Sequence, residues 1–188
     1  MRIIRAADHR VVPWKNGGGL TREVMVEPDP ANPTQFLWRI SIATVAEAGP
    51  FSRFPGIDRS IAVLDGAGMR LDVDGELMVL TPDDAPFRFP GEAVVRSELL
   101  AGETTDLNVM TRRDAFSHRM TRMRCDGLVV VQGAGDTNVL LLNGPVTVVG
   151  APLHRFDALV ALSRGEKIRV QANHSCDIFL IEIEPVAT

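Results

Sequence analysis

From Trp38 to Thr44 the chain reads WRISIAT, with a bulky apolar side chain at every second position. A β-strand has a side-chain period of two, so Trp38, Ile40 and Ile42 share one face while Arg39, Ser41 and Ala43 share the other. The first face is core. The second sets an arginine and a serine among apolar neighbours. If that face lines a closed barrel, these groups must pair with each other or with a ligand, because a buried polar group left unpaired is costly.

The residues that follow continue the same architecture. Gly49-Pro50 and Phe54-Pro55-Gly56 are turn signals, and Asp58-Arg59 leads into a second apolar strand, Ser60 to Leu64, that ends at Asp65-Gly66. The glycine spacing from Gly49 to Gly68 fits the first cupin motif, G-x5-H-x-H-x3-E-x6-G, without a gap. Its metal-ligand positions hold Pro55, Ile57 and Ile61, and none of these side chains can bind a cation. The second motif fits loosely from Gly75 and puts Phe87 at its histidine position. A cupin-type barrel without a metal, and without any other cofactor, is expected.

Most of the remaining chain consists of short Val/Ile/Leu runs bounded by Gly, Asn or Pro, and the 12 prolines and 16 glycines serve as punctuation between them. That composition favours an all-β fold. A net charge of −4 argues against nucleic acid or an anionic membrane as partner, since both need a basic face. No run approaches the roughly 18 apolar residues of a spanning helix, and Met1-Arg2-Ile3-Ile4-Arg5 lacks the apolar core of a secretion signal. A cytoplasmic location is the expectation. Cys125 and Cys176 have no CxxC spacing and read as two small, partly buried side chains.

In chain order, Met1 to Val12 alternates weakly and reads as a first strand. Pro13-Trp14-Lys15-Asn16-Gly17-Gly18-Gly19 then breaks the pattern, either as a tight hairpin or as a turn whose N–H groups converge on an anion. Leu20 to Val26 is a strand, and Met69 to Leu80 is a hairpin about Asp74-Gly75. Strands also begin at Phe87 and run from Val94 to Leu100. Thr105 to Thr111 alternates cleanly, placing Asp106, Asn108 and Met110 together, opposite Leu107 and Val109. Arg112 and Arg113 read as a charged strand terminus, and Asp83-Asp84 as solvated surface. Asp114 to Arg124 reads as a connecting segment. After it come apolar runs at Leu128–Val131, Val139–Leu142, Val146–Val149, Ala158–Leu162, Lys167–Val170 and Ile178–Ile183. Residues 1–113 are expected to form a first barrel and 114–188 a second, degenerate one, with exchange of strands between them allowed. His154 and His174 lack a partner at metal spacing.

The segments PWKNGGGLTREV, LWRISIATV, GPFSRFPGIDRSIAVLDGAGMRL, PFRFPGE and DLNVMTRR, in this order, closely resemble the HutD/Ves family of small bacterial proteins. The match covers roughly Pro13 to Arg113 and rests on strand rhythm beyond that. The resemblance implies an RmlC-like bicupin, that is, two cupin-like double-stranded β-helix (jelly-roll) barrels. It also implies an association with histidine utilisation. For that family a regulatory or ligand-sensing role has been proposed, with a formylated glutamate or related pathway acid as ligand and no firmly established reaction.

Two functions are weighed on the residues. The first is a small-molecule binding or sensor protein that holds an acidic ligand in the first barrel. Arg39 would supply a bidentate fork and Lys15 a point charge, while Asn16, Ser41 and Asn108 would add neutral hydrogen bonds, with Arg59 and Asp106 as neighbours. The alternative is a metal-free epimerase or isomerase, which needs a general base of tuned pKa. Pro13 to Arg113 contains no histidine, so Glu23, Asp106 or Lys15 would have to serve, and binding is the favoured reading. Arg39 could instead pair with Asp106 or Glu23, and Asp58-Arg59 could simply pin a turn. A protein-interaction scaffold is a third, weaker reading, and a homodimer is left open.

Overall fold

The computed structural model describes residues 1–15, 17–160 and 164–187. Among these the regular elements are seventeen β-strands and one 3-10 turn at Ala6–Asp8. The strands are β1 (Arg2–Ile4), β2 (Arg10–Pro13), β3 (Gly19–Asp29), β4 (Asn32–Val45), β5 (Gly49–Pro50), β6 (Ile57–Asp65), β7 (Met69–Val73), β8 (Glu76–Leu80) and β9 (Phe87–Pro90). They continue as β10 (Val95–Leu99), β11 (Thr104–Arg112), β12 (Phe116–Gln132), β13 (Thr137–Leu142), β14 (Val146–Val148), β15 (Ala151–Leu153), β16 (Ala158–Val160) and β17 (Lys167–Pro185). The fold is all-β. Among the described residues no helix is long and apolar enough to cross a membrane.

The chain divides into two compact units, one of Arg10–Phe116 and one that joins Met1–His9 to the residues from Ser117 onward. The units part between Phe116 and Ser117, against the Arg113/Asp114 expected. The stretch Met1 to Val12, expected as one strand, is two, β1 and β2, one in each unit, which the allowance for strand exchange admits. The strand is broken because Asp157 captures the backbone where it would continue. Its Oδ1 accepts from Ala6 N at 2.8 Å and its Oδ2 from Arg5 Nη1 at 2.9 Å. The residues before the break pair antiparallel with β16, Arg2 opposite Val160 and Ile4 opposite Ala158. Those after it form a hairpin with β3, Arg10 opposite Glu23 and Pro13 opposite Leu20.

In the Arg10–Phe116 unit, a six-stranded sheet has the order β2-β3-β4-β11-β6-β9 and a four-stranded sheet the order β5-β10-β7-β8. Neighbours far apart in sequence, such as β4 beside β11 and β11 beside β6, are the crossovers of a jelly roll. Ile61, Val63, Met69, Leu71, Leu80, Phe89 and Val95 form its core. Complete burial of one such side chain stabilises a fold by about 1.5–3 kcal/mol. The WRISIAT alternation holds: Trp38, Ile40 and Ile42 are buried on one side of β4.

The other unit is a seven-stranded sheet ordered β1-β16-β13-β17-β14-β15, with β12 also paired to β17. Its core gathers Leu140, Leu142, Val148, Leu153, Leu159, Val170 and Ile178 with both cysteines. Two expectations fail here. Asp114 to Arg124 is not a connector, since from Phe116 it belongs to the 17-residue β12, and the two last apolar runs are ends of one 19-residue strand, β17. Ion pairs and a hydrogen bond between the two strands explain why their polar stretches stay extended. Arg122 Nη2 reaches Asp177 Oδ2 at 2.8 Å, Arg124 Nε reaches Ser175 Oγ at 2.7 Å, and Arg119 Nη2 reaches Glu182 Oε2 at 2.6 Å. Of the expected run Ala158–Leu162, Ala161 and Leu162 lie outside the described residues.

Candidate functional site

The register of three adjacent strands builds the floor of a cavity. Met110 of β11 lies opposite Arg39 of β4 and Arg59 of β6, Asn108 opposite Ser41 and Ile61, and Asp106 opposite Ala43 and Val63. Successive rows are two residues apart, about 6.6 Å along a strand, so all nine side chains share one face. Over this floor lies a cavity of about 500 Å³, walled further by Trp14, Lys15, Thr21, Glu47, Phe51, Phe54 and Ser97.

Local chemistry fixes those walls. In the β2–β3 turn, Trp14 N donates to Gly19 O at 2.9 Å and Gly17 N to Trp14 O at 3.1 Å, so these N–H groups serve the hairpin itself. A side chain at position 19 would collide with Thr44 O and come within 3.0 Å of the Trp14 ring, whose Nε1 donates to Thr21 Oγ1 at 2.9 Å. On the opposite wall, Phe54 N donates to Gly91 O at 2.7 Å and Gly91 N to Ile57 O at 2.6 Å. Asp58 accepts from Arg88 and from Arg113, both at 2.7 Å, and Arg113 also reaches Glu92 at 2.9 Å. The dipeptide Asp58-Arg59 therefore divides its work: Asp58 pins the loop, and Arg59 turns into the cavity.

The two inward arginines pack against rings, Arg59 buried and Arg39 half-buried. The Arg39 guanidinium lies 4.9 Å from the Phe36 centroid and 5.6 Å from that of Phe54; Arg59 lies 5.4, 5.6 and 5.0 Å from Phe51, Phe54 and Phe89. Arg39 Nη2 donates to Met110 Sδ at 3.2 Å. Arg59 Nη1 donates to Ser52 O at 3.3 Å and its Nη2 to Asn108 Oδ1 at 2.9 Å; the Asn108 amide in turn donates to Asp106 Oδ1. Among the described residues neither arginine forms an ion pair, and Asp106 Oδ2 and both Nε atoms are enclosed without a hydrogen-bond partner. The expected alternative pairing of Arg39 with Asp106 or Glu23 is thus not made. Burial lowers the Arg39 pKa against the opposing charge of Glu23. Burial also brings Arg59 down to about 10, with Asp106 opposing the shift and Arg39 adding to it. It raises Asp106 to about 7, although Arg59 and the Asn108 bond pull the other way.

The structure brings Lys15, Arg39, Ser41, Arg59, Asp106 and Asn108 around this one cavity; Asn16 lies outside the described residues. Lys15 is exposed at the rim, whereas Ser41, Arg59, Asp106 and Asn108 are buried. Phe51 and Phe54 are added by the fold, although the phenylalanines of GPFSRFPG are a visible signal for an aromatic wall. Strand alternation puts Met110 on the right face, and only the fold brings it into the site. Among the described residues no group of three or more His, Cys, Asp or Glu side chains is arranged to hold a metal ion.

Comparison with known proteins places the chain in a family. The HutD family model matches residues 6–180. A 21.2 kDa protein in the hutC 3′ region of Pseudomonas putida is 42% identical over 121 residues, 64% of this chain and 63% of that protein, so the chain spans less than two thirds of this relative. Protein Ves of Citrobacter koseri is 36% identical over 153 residues, 81% of this chain and 74% of its own. Among solved structures, HutD from Pseudomonas fluorescens SBW25, in a formate condition, is 33% identical with a TM-score of 0.84 and 99% of both chains covered. The bacterial pirin YhhW of Escherichia coli, in complex with nickel(II), has a TM-score of 0.66 over 99% of both chains at 14% identity, a likeness of fold alone. With the model matched over nearly its whole length, this chain belongs to the HutD family.

Proposed function

We propose that this protein binds a small carboxylic acid in the cavity of the Arg10–Phe116 unit and so acts as a sensor or regulator of histidine utilisation. The acid is a pathway intermediate such as a formylated glutamate. The observation that carries this reading is the pair Arg39 and Arg59. Two guanidiniums, Arg59 buried and Arg39 half-buried, lie beside each other and share the Phe54 ring, with no carboxylate paired to either among the described residues. Burying a charge without a partner is costly, and a ligand carboxylate relieves that cost with charge-assisted bonds of about 1.5–3 kcal/mol each. Ser41, Asn108 and the Lys15 ammonium add polar contacts, and the rings supply apolar wall. The pathway is supported by the hutC-region relative and the HutD structure.

The alternative, a metal-free isomerase using Asp106 as acid or base, draws on the near-neutral pKa of that carboxyl. Against it, Asp106 Oδ2 is enclosed, so a substrate C–H cannot be brought into the direct contact with it that a general base needs, although the carboxyl can still exchange a proton with solvent at equilibrium.

Thermal-shift and calorimetric titration with N-formylglutamate and other acids of histidine degradation tests the reading. A ligand at 100 times its Kd adds about 2.7 kcal/mol of stability. If none of these acids shifts the melting temperature, or if Arg39→Met with Asn108→Leu leaves their affinity unchanged in a folded protein, the assignment is wrong.

A further inference from the structure

The cavity contains a carboxyl group that the binding reading does not use. Asp106 is almost wholly buried, its Oδ1 receives the Asn108 amide, and its Oδ2 has no partner among the described residues. It makes no direct contact with Arg59, which reaches it only through Asn108: Nη2 donates to Asn108 Oδ1, and the amide at the other end of that side chain donates to Asp106. Arg59 is the cation whose charge acts on Asp106, and it is also one of the two cations an incoming carboxylate would engage.

Resting on the binding reading above, we propose that the pocket takes up its carboxylate ligand together with one proton, which goes to Asp106. The ligand brings a negative charge onto the buried floor of a cavity that is open at its rim, and draws on the field of Arg59, which until then is the main counter-charge of Asp106. Two anions then share one short row of cations. One of them must be neutralised, and Asp106, enclosed and with an unoccupied oxygen to carry the proton, is the group placed to do it. Its pKa of about 7 before any ligand enters means that a small further push is enough near neutral pH. The site then recognises an anion through its arginines while holding a neutral carboxyl beneath them.

The other charged groups around Asp106 do not offer the same coupling. Arg59 on β6 and Arg39 on β4 stay protonated through the neutral range, and Lys15 at the rim of the β2–β3 turn is exposed. Glu47 at the rim and Glu23 on β3 are the remaining carboxylates near the cavity; Glu23 already pairs with Arg10 at 3.2 Å. Ser41 and Ser97 do not titrate, and no histidine lines the cavity.

The sign follows from linkage. Below the pKa of free Asp106 the proton is already present and affinity is flat; above it, each pH unit weakens binding up to tenfold until the pKa of the complex is passed. N-formylglutamate is a suitable probe, since its carboxyl groups ionise below about pH 5 and contribute no proton of their own in this range. Calorimetric titration at pH 8 in two buffers of different ionisation enthalpy reads the proton number directly. The expected result is uptake of nearly one proton per ligand at pH 8, a much smaller uptake at pH 6, and affinity about tenfold weaker at pH 8 than at pH 6. For Asp106→Asn the expected result is no proton uptake and a flat pH profile. Binding of wild type with no proton uptake at pH 8 overturns the coupling and leaves the binding reading standing. Uptake that persists in a folded Asp106→Asn variant assigns the proton elsewhere and also overturns it. Absence of binding at every pH rejects both readings together.

Discussion

Replacing Asp106 by asparagine removes a carboxyl that ionises against its surroundings, and its effect on stability must therefore change with pH. The side chain keeps its shape and an oxygen for the Asn108 amide, but it can no longer become an anion. Burial raises the wild-type carboxyl from the usual 3.8 to about 7. Between those values the native state holds a proton that the unfolded chain has released, so stability falls as pH rises, and the loss is complete once pH passes the folded-state pKa. At 1.36 kcal/mol per unit, the carboxyl's contribution declines by about 2 to 3 kcal/mol between pH 5 and pH 8. The amide of the variant contributes no such slope. Unfolding free energies of both proteins, measured by urea at the two pH values, isolate this term because every other titrating group is common to both. The assay has a built-in reporter: the chain's two tryptophans, Trp14 and Trp38, both lie in the Arg10–Phe116 unit. The difference between variant and wild type is expected to move by about 2 to 3 kcal/mol in favour of the variant from pH 5 to pH 8. Parallel pH profiles for the two proteins would refute the assignment of a perturbed carboxyl to Asp106.

Arg39→Met is expected to weaken N-formylglutamate binding by about tenfold or more while the urea midpoint changes little, since Arg39 holds only a methionine sulfur and two ring faces. Arg59→Met is expected to destabilise the fold by roughly 3 kcal/mol at pH 8, because it strands Asp106 and Asn108; a smaller loss than for Arg39→Met would reverse the two roles. Gly91→Ala places a Cβ 2.5 Å from Phe54 O and 2.8 Å from Ile57 O, and should cost about 1–3 kcal/mol and weaken binding through the displaced Phe54, both read from calorimetry on the folded variant. Dialysis against EDTA should leave N-formylglutamate affinity unchanged, because Pro55, Ile57, Ile61 and Phe87 stand where a cupin places its metal ligands. Near one equivalent of Fe, Mn, Ni or Zn in the native protein would contradict this.

Where side-chain alternation and turn residues agreed, the strands were legible in the sequence. WRISIAT lies in the C-terminal half of β4, Asp74-Gly75 turns β7 into β8, and TDLNVMT lies within β11. Legibility failed where a strand's outward positions carry charges that pair across to a neighbour. Arg119, Arg122 and Arg124 make β12 read as a polar connector, and their partners Glu182 and Asp177 lie on β17, more than fifty residues away. No local pattern announces such a pairing. The broken N-terminal strand fails for a related reason, since the group that interrupts it, Asp157, sits some 150 residues downstream.

The site shows the same division between what is local and what depends on register. That Arg39 shares a face with Ser41, and Asp106 with Asn108, follows from two-residue periodicity within each strand. Which of these residues meet is set by how β11 slots between β4 and β6, and no tight turn joins β11 to either. A shift of one residue would have turned Asp106 and Asn108 away from the cavity altogether. In the observed register Met110 separates the two arginines, and Arg59, rather than Arg39, reaches Asn108. The consequence is chemical. One arginine is tied to the floor and conditions the charge of Asp106, while the other has only soft partners, a sulfur and two rings, and keeps its hydrogen-bonding capacity for a ligand. Two residues that look equivalent in sequence, each an arginine on the inner face of an apolar strand, therefore carry different parts of the proposed binding event.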